Sequence, residues 1–236
     1  MSQEAKPRTK RTRSTTINKE HFTLKDGIKP KTEAQRQMIE GYVQGQNIVA
    51  YGSAGSGKSY IACYLGLKDL FEKEKNRIII VRSAVPTRDM GFLPGNLDEK
   101  AEVYSIPYKA IVNDLCQNGT AWEILSKKGL IQFITTSYIR GITLDNCVII
   151  FDEFQNCDAA ELESVLTRLG ENSQIIICGD TRQSDLKRRK QSSGFDWLML
   201  VAKNMPDWFD AVHFRREDIV RSEFVKELIG VIEDLE

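Results

Sequence analysis

The sequence has no excess charge of either sign. Its 33 lysines and arginines are matched by 33 aspartates and glutamates. That balance argues against a protein that coats nucleic acid over its whole surface, while leaving room for a local basic patch. Long hydrophobic runs are also missing. No apolar stretch approaches the roughly 20 residues needed to span a bilayer, and no apolar run follows the basic start, so neither a membrane span nor a signal peptide is expected. The five cysteines (Cys63, Cys116, Cys147, Cys157 and Cys178) are odd in number and contain no C-x-x-C pair. This spacing signals neither a disulfide framework nor a zinc site, and a reducing cytoplasm is the expected setting. Internal repeats are absent, as is low-complexity sequence beyond an N-terminal arm.

What is present suits one α/β domain with tails: 236 residues, 41% of them apolar, enough for a sizeable core. The charge is unevenly placed. Lys6, Arg8, Lys10, Arg11 and Arg13 crowd the start against a single acid, Glu4, while Glu233, Asp234 and Glu236 close the chain. An arm so poor in apolar residues cannot offset its ordering entropy. Residues 1–16 are therefore expected to be a disordered basic arm, either a solubilising tail or a contact for nucleic-acid phosphates. Residues 17–236 are expected to form a single domain.

Short apolar runs are expected as strands at 47–51 (NIVAY), 77–82 (RIIIVR), 130–135, 147–151 (CVIIF), 174–178 (QIIIC) and 210–214. Helical patterns fall between them, at 32–44 with Thr32 as N-cap, 58–73, 98–117, 121–128, 193–203 and 222 to the end. Another runs from 158 to 169, where Asp158 and Glu161 have the spacing of a capping box. Residues 87–96, with two glycines and a proline, are expected to be a loop. Strands alternating with helices imply βαβ units and a mostly parallel sheet covered on both faces.

The strongest chemical signal is Gly52-Ser53-Ala54-Gly55-Ser56-Gly57-Lys58-Ser59. It fits G-x-x-x-x-G-K-[ST] at every fixed position, with a strand before it and a helix after. Glycines let the backbone curl so that successive N–H groups face phosphate oxygens. A helix starting at Lys58 adds its positive dipole end. Lys58 is expected to reach the β- and γ-phosphates of ATP, and the Ser59 hydroxyl to ligate Mg²⁺. A second signal is the apolar strand ending in Asp152 and Glu153. Ligands of open α/β sheets lie beyond the carboxyl ends of the strands, so Asp152 is positioned to hold Mg²⁺ and Glu153 to deprotonate the attacking water. A third strand ends at Gly179-Asp180, followed by Gln183 and Asp185. Gln183 is either a γ-phosphate contact or part of an ordinary polar loop.

These residues resemble the PhoH family of phosphate-starvation-associated P-loop ATPases of bacteria and many phages, from about Lys31 to the C-terminus. The family's Gly-Pro-Ala-Gly-Thr-Gly-Lys-Thr loop has Ser53, Ser56 and Ser59 in place of Pro and both Thr, and its Asp-Glu-Ala-Gln-Asn is Asp152-Glu153-Phe154-Gln155-Asn156. Gly91-Phe92-Leu93-Pro94-Gly95, Thr167-Arg168-Leu169-Gly170, Gly179-Asp180, Gln183, Asp185-Leu186 and Asp218-Ile219-Val220-Arg221 also match. Arg182 and Lys187-Arg188-Arg189-Lys190 depart from the family pattern.

The resemblance implies a RecA-like, superfamily 1 helicase-like core that hydrolyses ATP and remodels or unwinds RNA. It further implies that Gln35 reads adenine, and that residues 85–96 face nucleic acid. With one phosphate loop and no second domain, the catalytic arginine is expected from a neighbouring subunit, with Arg221 as first candidate and Arg215 as second. A site shared head to tail closes as a ring, and a hexamer is what the resemblance implies. Arg82, Arg88 or the 187–190 cluster would line its pore and track RNA or single-stranded DNA; no aromatic platform is signalled. Two other readings stand beside this one. One is an ATP-gated nucleic-acid binder without unwinding. The other is a thymidine-kinase-like phosphotransferase, which would ordinarily carry the zinc cysteines missing here.

Overall fold

The computed structural model describes residues 23–25, 27–83, 97–180 and 194–235, with the side chains of 97–101 excepted. The elements run α1 (Glu33–Val43), β1 (Asn47–Gly52), α2 (Lys58–Glu72), β2 (Arg77–Arg82), α3 (Leu97–Leu115), α4 (Ala121–Lys127), β3 (Ile131–Thr135), β4 (Cys147–Asp152), α5 (Ala159–Leu166), β5 (Gln174–Gly179), α6 (Gly194–Asn204), β6 (Phe209–Phe214) and α7 (Glu223–Leu235). Every strand and helix expected from the sequence within these residues is present. The basic arm, the 87–96 loop, Arg88, Gln183 and the 187–190 cluster lie outside the described residues.

The strands form one sheet in the order β3-β2-β4-β5-β1-β6, and every neighbouring pair is parallel. Side chains alternate across it. Ile48, Ala50, Ile78, Ile80, Val148 and Ile150 pack with α1 to α4 on one face. Val49, Ile79, Val81, Ile149, Phe151 and Ile177 pack with α5 and α6 on the other. Both faces are buried, so the strands read as unbroken apolar runs rather than alternating ones. The five cysteines are buried and free. Among the described residues, no helix is long and apolar enough to cross a membrane.

Local chemistry sets the helix starts. Thr32 Oγ1 accepts the Gln35 N–H at the head of α1. Asp158 and Glu161 form the expected reciprocal capping box. The end of α5 differs from the sequence expectation, stopping at Leu166 instead of 169. The segment after it leaves the helix to pair with Leu144, which donates to Arg168 O and accepts from Gly170 N–H. This backbone pairing outweighs the helical pattern of the apolar residues.

One sheet feature bears directly on the site. The phosphate loop follows β1 and the acidic pair ends β4. In the fold, β5 lies between β1 and β4, so the tip of β5, with Gly179 and Asp180, enters the middle of the site.

Candidate nucleotide site

The phosphate loop leaves β1 at Gly52, which has φ +116, a conformation open to glycine at little cost. A Cβ there would fall on the Phe214 carbonyl, the same carbonyl that accepts the Ser53 N–H at 2.8 Å. The chain then turns through Gly55 (φ +72) and Gly57 (φ +87). Gly57 caps α2 without any side-chain hydrogen bond to the helix, which suits a helix start whose N–H groups serve an anion.

Lys58 is buried and folded back on the loop. Its Nζ donates to Gly52 O at 2.9 Å, Ser53 O at 2.8 Å and Ser56 Oγ at 3.2 Å. Burial lowers its pKa from the ordinary lysine value, and the charges of Asp180, Asp152 and Glu153 oppose that shift. The ammonium thus sits within the field of the acidic strand tips and is held by carbonyls that a phosphate would replace.

Asp152, at the end of β4, is buried. Its Oδ1 accepts the Glu153 N–H at 3.0 Å, and its Oδ2 accepts the Tyr108 hydroxyl at 2.8 Å. Glu153 adopts left-handed backbone angles, φ 59 and ψ 37, uncommon for a residue with a Cβ and typical of functional sites. Its Oε2 accepts from Gln155 Nε2 at 2.6 Å, and Gln155 Oε1 accepts the Asp180 N–H at 3.0 Å. Gln155 therefore ties the β4 tip to the β5 tip. Gly179 allows this close approach, since a Cβ there would collide with Phe154 and Gln155. Burial, and secondly the neighbouring Asp152 charge, raise the Glu153 pKa above the ordinary glutamate value.

Gln35 reaches the loop from α1. Its Nε2 donates to Ser56 O at 2.9 Å and its Oε1 accepts the Lys31 N–H at 2.8 Å. The C-terminal segment also packs on the loop. Val220 N–H donates to Gly55 O at 3.1 Å, and Arg221 Cγ lies 3.0 Å from where a Gly55 Cβ would stand. Ser53 Oγ donates to Glu233 Oε1 at 3.0 Å. Arg221 thus lines the cleft of its own chain beside the phosphate loop. Arg215 is elsewhere: it is exposed and lies 3.9 Å from Glu217. Neither Arg215 nor Arg216 belongs to the C-terminal helix, since Arg216 begins a short 3₁₀ turn ahead of it.

These parts share one cleft of about 870 Å³, lined among others by Gln35, Lys58, Ser59, Tyr108, Asp152 and Arg221. That volume is in the range of small-molecule and cofactor sites. The residues fit Mg-nucleotide. Three glycines at positive φ form a cradle, with no room for a Cβ at Gly52, and the Ser59 hydroxyl and Asp152 carboxylate are hard oxygen donors on the same cleft. No cluster of three or more metal-ligating side chains occurs among the described residues. Tyr108 and Gln155 gain no role from sequence alone; Gln155 is visible there only as one letter of a motif, and Tyr108 as part of a helix.

The PhoH-like protein family model matches residues 27–233. Protein PhoH of Escherichia coli (strain K12) is 36% identical over 197 residues, covering 83% of this chain and 55% of that protein. A PhoH-like protein of Bacillus subtilis (strain 168) is 35% identical over 207 residues, covering 86% and 63%. The chain therefore spans 55 to 63% of the length of these relatives. Among solved structures, the large terminase from a thermophilic bacteriophage superposes with a TM-score of 0.50 at 11% identity, over 85% of this chain and 50% of that one. That likeness concerns the fold alone. The family match runs through every element that builds the cleft, from α1 to α7, and the chain belongs to the PhoH-like family of P-loop NTPases.

Proposed function

We propose that the protein hydrolyses ATP with Mg²⁺ and couples hydrolysis to binding and remodelling of RNA or single-stranded nucleic acid. The observation that carries the reading is the convergence of loop 52–59 with Asp152 and Glu153 in one cleft. Phosphoryl transfer needs chiefly positioning and charge stabilisation, and each has a residue here. Lys58 exchanges loop carbonyls for the β- and γ-phosphates. Ser59 and Asp152 would hold Mg²⁺, which would neutralise charge on the phosphates. Glu153, with its raised pKa, takes the proton of the attacking water, and Gln155 orients it. Arg221 stabilises the transition-state charge from within the same chain. Gln35 turns its amide from Ser56 O and Lys31 N to the adenine edge.

Arg215, exposed and outside the cleft, is then the arginine left for a neighbouring site in a ring such as a hexamer. Arg82, at the tip of β2 and on the cleft wall, is the basic residue we assign to a nucleic-acid path; Gln183 completes the reading as a γ-phosphate contact. A cytoplasmic setting belongs to it as well, with five thiols kept reduced.

The test is ATP hydrolysis titrated with RNA and with single-stranded DNA, on protein of measured assembled mass, beside a duplex-unwinding assay. Hydrolysis stimulated by nucleic acid supports the reading. Hydrolysis without unwinding reduces it to an ATP-gated binder. A Lys58→Ala variant equal to the parent in nucleotide affinity and phosphate release overturns it.

A further inference from the structure

The cleft wall facing the acidic strand tip is formed by α3. Tyr108 is buried there, and its ring packs against Phe133 with centroids 5.8 Å apart. A phenylalanine would fill this volume equally well. The hydroxyl is the part that packing does not require, and a buried hydroxyl is costly unless bonded. Its partner is Asp152 Oδ2, 2.8 Å away and 44 residues distant in sequence. The other oxygen, Oδ1, is held by the Glu153 backbone N–H, next to it in the chain. A single bond at Oδ1 leaves the carboxylate free to rotate about its Cβ–Cγ bond; a second, from a different element, fixes its plane. One turn before Tyr108 on the same helix, the Tyr104 ring lies 5.3 Å from the Arg82 guanidinium. Arg82 pairs in register with Asp152 across β2 and β4. The helix is thus anchored at the tips of both strands.

We propose that Tyr108 is a positioning residue for the metal: its hydroxyl holds the Asp152 carboxylate in the orientation that receives Mg²⁺, and so sets how tightly the cation joins the nucleotide complex. The inference rests on the ATP reading above. Hydrogen-bond partners of metal-ligating carboxylates typically carry 10- to 100-fold in metal affinity.

The test is Tyr108→Phe, with a non-hydrolysable ATP analogue titrated by calorimetry at a series of Mg²⁺ concentrations and again in EDTA. The half-saturating Mg²⁺ concentration is expected to rise roughly tenfold, with affinity in EDTA and cooperative melting unchanged. Repeated on an Asp152→Ala background, the same substitution is expected to change nothing. A Tyr108→Phe protein with the parent's Mg²⁺ dependence overturns the proposal while leaving the nucleotide site intact. So does an equal loss on the Asp152→Ala background. A parent whose affinity does not rise with Mg²⁺ overturns the proposal together with the Mg-nucleotide reading.

Discussion

The two sides of the cleft are built differently. One side consists of a loop and a strand tip whose residues adjoin in sequence, 52–59 and 152–153. The other is assembled from single side chains sent by distant elements: Gln35 from α1, Tyr108 from α3, Arg221 before α7 and Glu233 within it. The local side carries the chemistry that every phosphate site of this kind needs. On the function proposed above, the assembled side sets how firmly those parts are held, which base is preferred and how fast the bound nucleotide reacts. A few local residues suffice to recognise a phosphate, whereas tuning needs the whole fold.

Substitutions on each side test this division. Arg221→Ala is expected to have the largest effect, about 10³- to 10⁵-fold in turnover, with ATP affinity within a few-fold of the parent by calorimetry. A normal rate would strip the assembled side of any catalytic part. Next is Glu153→Gln, expected to slow phosphate release about 10²- to 10⁴-fold. In the parent, a base with a raised pKa must lose its proton before it acts. The acid limb of the rate profile is therefore expected at higher pH than an ordinary glutamate gives, and that limb should vanish in the Gln variant. A limb unchanged by the substitution would assign the titration elsewhere.

Gln35→Ala is expected to weaken ATP binding about tenfold, the loss of one buried polar partner, and to reduce the preference for ATP over GTP. If both nucleotides weaken equally, Gln35 braces the loop through Ser56 and does not read the base. Smallest of all is Ser53→Ala, which removes the bond to Glu233. Its expected cost in thermal unfolding is about 1 kcal/mol, with turnover nearly unchanged.

The phosphate loop is legible in the sequence because glycine content, lysine and hydroxyl act at fixed spacing, and because strand and helix on either side follow from local pattern. Asp152 and Glu153 are legible for the same reason. The insertion of β5 between β1 and β4 is not, since all the central strands are equally apolar and nothing in such runs encodes their order. Tyr108 lies hidden because a helix with apolar spacing gives no sign that one hydroxyl meets a carboxylate 44 residues on. Sequence reasoning assigns Arg221 to a neighbouring subunit on the ground that one domain leaves its site open. What the sequence does not reveal is that the chain after Arg216–Asp218 returns to its own loop, where Val220 bonds Gly55.

The Glu233–Ser53 bond has a practical corollary. The last helix reaches the phosphate loop through this bond, so a shortened protein lacking residues beyond 219 would lose a guanidinium, a backbone donor and a carboxylate from the loop in one cut.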